Sequence, residues 1–162
     1  VVPISLIGIF VLLFILFGNL KDSLLVLANV PFAVIGGIIA LHITGMNFGI
    51  SAGVGFIALL GICIQNGVIL ISEFHHNIKA KFSLEESIFR GVKARTRAVI
   101  MTALMASIGL MPAAISTGIG SESQKPLAIV IIGGLVTATI LTLLVFPILF
   151  WIFNRRKHAP IE

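Results

Sequence analysis

No aspartate or glutamate falls within the long apolar stretches of this sequence, although those stretches make up most of its 162 residues. Helices of that composition hold no carboxylate that could carry a proton at membrane depth. A proton-driven machine built on them would have to keep that chemistry elsewhere. Charge is scarce throughout: 10% of residues are charged, against roughly 25% in soluble proteins. A water-soluble fold would therefore lack polar surface. The one cysteine, Cys63, excludes a disulfide framework or a zinc cluster and reads as a small packed apolar residue. There is no signal-peptide pattern, no low-complexity linker and no soluble domain. Nucleophile–base pairs, phosphate loops and metal clusters are also missing, so nothing points to an enzyme and no cofactor is called for.

What the chain does contain is hydrophobic length. Hydrophobic residues make up 58% of it, and the mean hydropathy is +1.17. About 20 apolar residues cross a bilayer as a helix, and five stretches qualify, at about 2–19, 24–43, 48–72, 98–117 and 127–153. The expected fold is an all-α polytopic membrane bundle of five transmembrane helices surrounded by lipid. The net charge of +5 could suggest nucleic acid, but its placement excludes that. Lys21, Lys79, Lys81, Arg90, Lys93, Arg95, Arg97, Arg155, Arg156 and Lys157 all fall at one end of alternating spans, leaving only Lys125 at the other. The positive-inside rule makes the basic end cytoplasmic, with Val1 outside and Glu162 inside. The chain opens at Val1-Val2-Pro3, almost directly into a span, and is expected to be a piece of a larger transporter.

Between the spans, Asn19 to Ser23 reads as a short cytoplasmic turn and His42 to Asn47, with Gly45, as an outer one. Gly49 and Gly53 form a GxxxG pair of the kind that lets membrane helices approach closely. Ser83-x-x-Glu86 is a capping box, with Leu84, Ile88 and Val92 behind it at helical spacing. These residues predict a short amphipathic helix at about 83–95, lying on the cytoplasmic surface. Pro112 ends or kinks the fourth span, 116–126 forms an outer loop, and Pro147 kinks the fifth span.

Polar groups at membrane depth are costly and mark candidate sites. Gln65 and Asn66 stand out in the third span. Gln65 lies seven residues, about 10 Å, from the inner end of its helix, and Thr102 lies about as deep on the next helix, on the face of Arg95. Two roles fit Gln65: interhelical hydrogen-bond glue, or part of a charge path. The second needs an acidic partner, and this chain supplies none. His75 and His76 are adjacent, whereas a helical metal site prefers i, i+4 spacing, so they read as polar residues at a helix end. His42, near the outer turn, reads as bland. Met101 and Met105 share a face but suit packing, and Thr137, Thr139 and Thr142 suit bonds to their own or a neighbouring helix. No metal site is expected.

At these residues the chain closely resembles the carboxyl-terminal membrane half of the resistance-nodulation-division (RND) efflux permeases. The carrying segments are Val54-Gly55-Phe56-Ile57-Ala58-Leu59, Gln65-Asn66-Gly67-Val68-Ile69-Leu70, Arg95-Thr96-Arg97 with Met101-Thr102-Ala103-Leu104, Ser116 through Glu122, and Gly133-Gly134-Leu135-Val136-Thr137. They run in order along essentially the whole chain, which then looks like helices eight to twelve of a twelve-helix permease. Gln65-Asn66-Gly67-Val68 and Gly120 through Pro126 are most similar to the heavy-metal branch, of the cobalt–zinc–cadmium (CzcA) type. Multidrug relatives usually carry Lys at position 65. Copper and silver relatives tend to carry Glu there and Met at position 124; Gln124 lacks that thioether, which favours divalent over soft monovalent ions.

The resemblance implies proton antiport of heavy-metal cations (Co, Zn, Cd or Ni) from a bacterial inner membrane. It further implies a homotrimer working with a periplasmic adaptor and an outer-membrane channel, the proton-carrying Asp residues lying in the other half of the permease. It also implies a proton-relay or coupling role for Arg95, Thr102 and Gln65, with Asn66 beside it. Ala98 departs from the family, which usually has Pro there. The alternatives are a multidrug RND permease and a non-transporting protein-export accessory subunit of related fold.

Overall fold

Within residues 1–155, which the computed structural model describes, the chain is all helix. Arg156, Lys157 and Glu162, part of the basic end inferred above, lie outside the described residues. The five helices are α1 (Val2–Phe17), α2 (Leu20–Ile43), α3 (Ile50–Lys79), α4 (Leu84–Ile115) and α5 (Ser121–Asn154). The last four are long and apolar enough to cross a membrane; α1, at 16 residues, is a shorter apolar helix. Its length is about 24 Å at 1.5 Å per residue.

Sharp turns set the up-and-down order. Gly18 takes a left-handed conformation (φ 63°) and its N–H caps the Phe14 carbonyl at the end of α1. Gly45 (φ 66°) turns α2 toward α3, and Gly120 (φ 88°) stands immediately before α5. An L side chain is disfavoured at such φ values, which is the use of glycine here.

The bundle is built around α2 and α5. A Cβ added to Gly133 would lie 2.2 Å from the Ala40 Cβ, and one added to Gly36 would lie 2.4 Å from the Thr137 hydroxyl. Lipid gives helices no hydrophobic reason to associate, so close van der Waals approach through small residues holds them together. The Gly49/Gly53 pair expected to do this meets nothing within 4 Å. The spacing allowed close packing, and Gly36, Gly37, Gly133 and Gly134 realise it instead. One bond crosses the α2–α5 seam deep in the bundle: Asn29 Nδ2 donates to the Thr142 hydroxyl at 2.9 Å. Thr137 donates to its own helix at Gly133, and Thr139 leaves its buried hydroxyl unpartnered. Cys63 is buried and free, as expected of a packing residue.

The most visible departure from expectation is α4. Residues 83–95 do not form a separate surface helix; they are the first turns of one 32-residue helix that runs through the Arg95-Thr96-Arg97 stretch. Ser83 accepts from the Glu86 N–H, so that half of the capping box is real, but the Glu86 carboxylate instead takes Arg90 one turn on. Leu84 and Ile88 are buried within the protein. Nothing interrupts the backbone at the junction, because Ala98 stands where a proline would remove an N–H and crowd the preceding turn. Pro112 likewise lies inside the helix, three residues before its end. The outer loop is shorter than expected: Ser121 to Pro126 already belongs to α5.

Candidate functional site

Seven residues apart on α4, Arg95 and Thr102 share one helical face. Arg95 is not without an acid. Its Nε and Nη2 both donate to Oε2 of Glu73 on α3, at 3.1 and 2.7 Å. Hydropathy does not reveal this partner, because Glu73 stands one residue beyond the third apolar stretch. In the structure α3 continues to Lys79, so Glu73 is helical and faces α4. The arginine side chain is 42% exposed and the glutamate 19%. An ion pair this open is worth about 1 kcal/mol or less, and both bonds end on one oxygen, leaving three of the five guanidinium N–H donors for another acceptor.

Gln65 and Thr102 are both exposed. Thr102 donates to the Ala98 carbonyl at 2.9 Å, a bond within its own helix that leaves the hydroxyl oxygen able to accept. No hydrogen bond joins Gln65, Thr102 and Arg95 among the described residues. Asn66 is turned the other way and is 7% exposed, so the amide pair divides between an open face of α3 and the packed one. The open face continues onto α4, where Met101, Leu104, Met105 and Ile108 are uncovered. Of the four α-helices long enough to span, α4 has by far the least of its apolar length buried.

A second polar constellation lies at the basic end and was missed in the sequence. Asp22, 2% exposed in the first turn of α2, meets His75 Nε2 of α3 at 2.7 Å. The imidazole stands edge-on to Phe150 of α5 and near Phe17 of α1, so this contact ties four helices together. Asp22 is no turn residue, as α2 begins at Leu20. A helical signal was present: Asp22, Val26, Asn29 and Ala33 recur at i, i+4, i+7 and i+11, and all are buried. Three or more His, Cys, Asp or Glu side chains placed to hold a metal do not occur among the described residues.

A membrane helix bundle with an uncovered polar face is the class of protein that these features define. The family model described as the AcrB/AcrD/AcrF family matches residues 1–154, and the chain belongs to that family. It is 48% identical over 158 residues to the cobalt-zinc-cadmium resistance protein CzcA of Cupriavidus metallidurans, an alignment covering 98% of this chain and 15% of that protein. Protein HelA of Legionella pneumophila is 50% identical over 159 residues, with 97% and 15% covered. Among solved structures, a crystal structure of a heavy metal efflux pump superposes with a TM-score of 0.87 at 44% identity, covering 96% of this chain and 16% of that one. The chain thus spans about 15% of the length of these curated relatives.

Proposed function

We propose that this chain is the carboxyl-terminal membrane portion of a proton-driven permease that exports divalent heavy-metal cations by proton antiport across a bacterial inner membrane. The observation that carries the reading is the similarity, along nearly the whole chain, to proteins named for cobalt, zinc and cadmium resistance and to a heavy metal efflux pump. The geometry supports it. Exposed Gln65 and Thr102 are costly against lipid, which argues that the open face of α3 and α4 is covered by protein. The remaining half of the permease, with its proton-carrying carboxylates, is the natural cover. Arg95, held loosely by Glu73, has donors left to stabilise such a carboxylate when ionised. Thr102 can both donate and accept as that group changes protonation, and Gln65 orients without titrating. Asn66, turned inward, supports the helix rather than the relay.

In this reading the intact protein is a trimer coupled to a periplasmic adaptor and an outer-membrane channel, and the basic end of the bundle is cytoplasmic. Growth of a strain lacking the full-length gene on graded cobalt, zinc, cadmium and nickel tests it. Sensitivity to at least one of these ions, restored by the gene, is expected. Unchanged metal tolerance with new drug sensitivity would transfer the chain to the multidrug class.

A further inference from the structure

At the basic end, a cleft of about 460 Å³ opens between the last turn of α1 and the end of α3, lined by Leu16, Phe17, Asn19, Ser72, His75, His76 and Lys79. Its α3 wall is not an accident of exposure. Ser72, His75, His76 and Lys79 recur at i, i+3, i+4 and i+7, the spacing that places side chains on one helical face. No carboxylate lines the cleft. Asp22, behind it, is buried and already engaged by His75, which fixes the imidazole as the back wall. His76 and Lys79 have no ion-pair partner among the described residues. Asn19, the N-cap of α2, also lines the cleft; its side-chain amide donates to the Phe17 carbonyl at 3.4 Å and keeps a second N–H. The C-terminal ends of α1 and α3 arrive there too with partial negative charge, so Lys79 must supply the attraction, with His76 as a hydrogen-bond partner.

The opposite wall is apolar. Leu16 and Phe17 line the cleft, and Leu12, Ile15 and Leu16 are exposed along one side of α1. A ligand that fits would carry an anionic, hydrogen-bond-accepting head and an apolar tail running back along α1. We propose that this cleft binds the phosphate of an anionic phospholipid of the cytoplasmic leaflet, with Lys79, His76, Ser72 and Asn19 on the headgroup and an acyl chain along Leu12, Ile15 and Leu16. Basic pockets between helices on the cytoplasmic side are suited to such headgroups, and that leaflet concentrates them. The site is distinct from the Arg95–Glu73 seam: Glu73 does not line the cleft and lies about 110° around α3 from the centre of its face.

The test titrates the purified intact permease in detergent with phosphatidylglycerol, phosphatidylcholine or inorganic phosphate, following bound lipid by native mass spectrometry and stabilisation by thermal melting. Phosphatidylglycerol should bind and stabilise, and phosphatidylcholine and phosphate should not. Lys79→Glu should weaken phosphatidylglycerol binding on the order of tenfold, and Lys79→Arg should retain it. Ser72→Leu, which fills the cleft without changing charge, should also weaken it. Lys81→Glu, on the same side but outside the cleft, should change little. Equal binding of phosphatidylcholine, equal stabilisation by inorganic phosphate, no effect of Ser72→Leu, or a Lys81→Glu loss as large as that of Lys79→Glu would each overturn the proposal.

Discussion

Replacing Gly133 with alanine should force α2 and α5 apart. The new Cβ would stand 2.2 Å from the Ala40 Cβ and 3.2 Å from the Gly36 carbonyl oxygen. Carbon atoms rest at about 3.5–4.0 Å, so the deficit is on the order of 1.5 Å. Alanine has no torsion with which to yield, and neither does a helical carbonyl, so the backbones themselves must move. Overpacking of this kind costs about 1–3 kcal/mol, set against the roughly 0.8–1 kcal/mol by which alanine favours a helix over glycine. Gly109→Ala in α4 supplies the control, because nothing lies within 4 Å of its added Cβ. It collects the helical gain without the clash, and the difference between the two variants isolates the steric cost. Thermal denaturation of the two purified proteins should place Gly133→Ala below Gly109→Ala by that 1–3 kcal/mol. Equal stability would mean that α2 and α5 are not packed as closely as described.

Cysteines introduced at positions 118–124 should be labelled by a membrane-impermeant reagent from outside, and those at 79–82 should not; labelling of both loops from one side would refute the basic-end-inside orientation. Asn29→Leu and Thr142→Val should each destabilise by roughly 0.6 kcal/mol and at most about 2 kcal/mol, the range for interhelical hydrogen bonds in membranes. In a double-mutant cycle the two should fail to add, and full additivity would mean that the 2.9 Å bond contributes nothing.

Apolar length was enough to read five helices, because lipid demands about 20 apolar residues whatever the protein does. Where helices continue past the apolar stretch, hydropathy falls silent. Glu73 and His75 lie on such an extension of α3, and Asp22 on one at the start of α2, so both side-chain pairs went unseen. Each also joins residues far apart in sequence, and no local spacing reports that. The Arg95-Thr96-Arg97 stretch is misleading for a related reason: charge marks a change of solvent, not a change of element. Backbone continuity depends instead on whether each N–H keeps its carbonyl, and with Ala98 in place it does. Depth matching of Gln65 with Thr102 rests on helical rise alone, and both residues lie exposed. It could not show that Asn66 turns inward or that Arg95 already holds an acid.

The proposed proton-coupling role of Arg95 is tested most directly by metal-dependent proton flux in proteoliposomes of the intact permease, comparing Arg95→Ala with Glu73→Gln at equal protein content. The account predicts that Arg95→Ala abolishes coupled flux, with Thr102→Ala strongly reduced and Gln65→Ala milder. Glu73→Gln should keep most of the flux, since in the proposed relay Glu73 only holds the guanidinium until another carboxylate takes it. Equal loss in Arg95→Ala and Glu73→Gln, or full flux in Arg95→Ala, would contradict it and leave Arg95 as half of a structural ion pair.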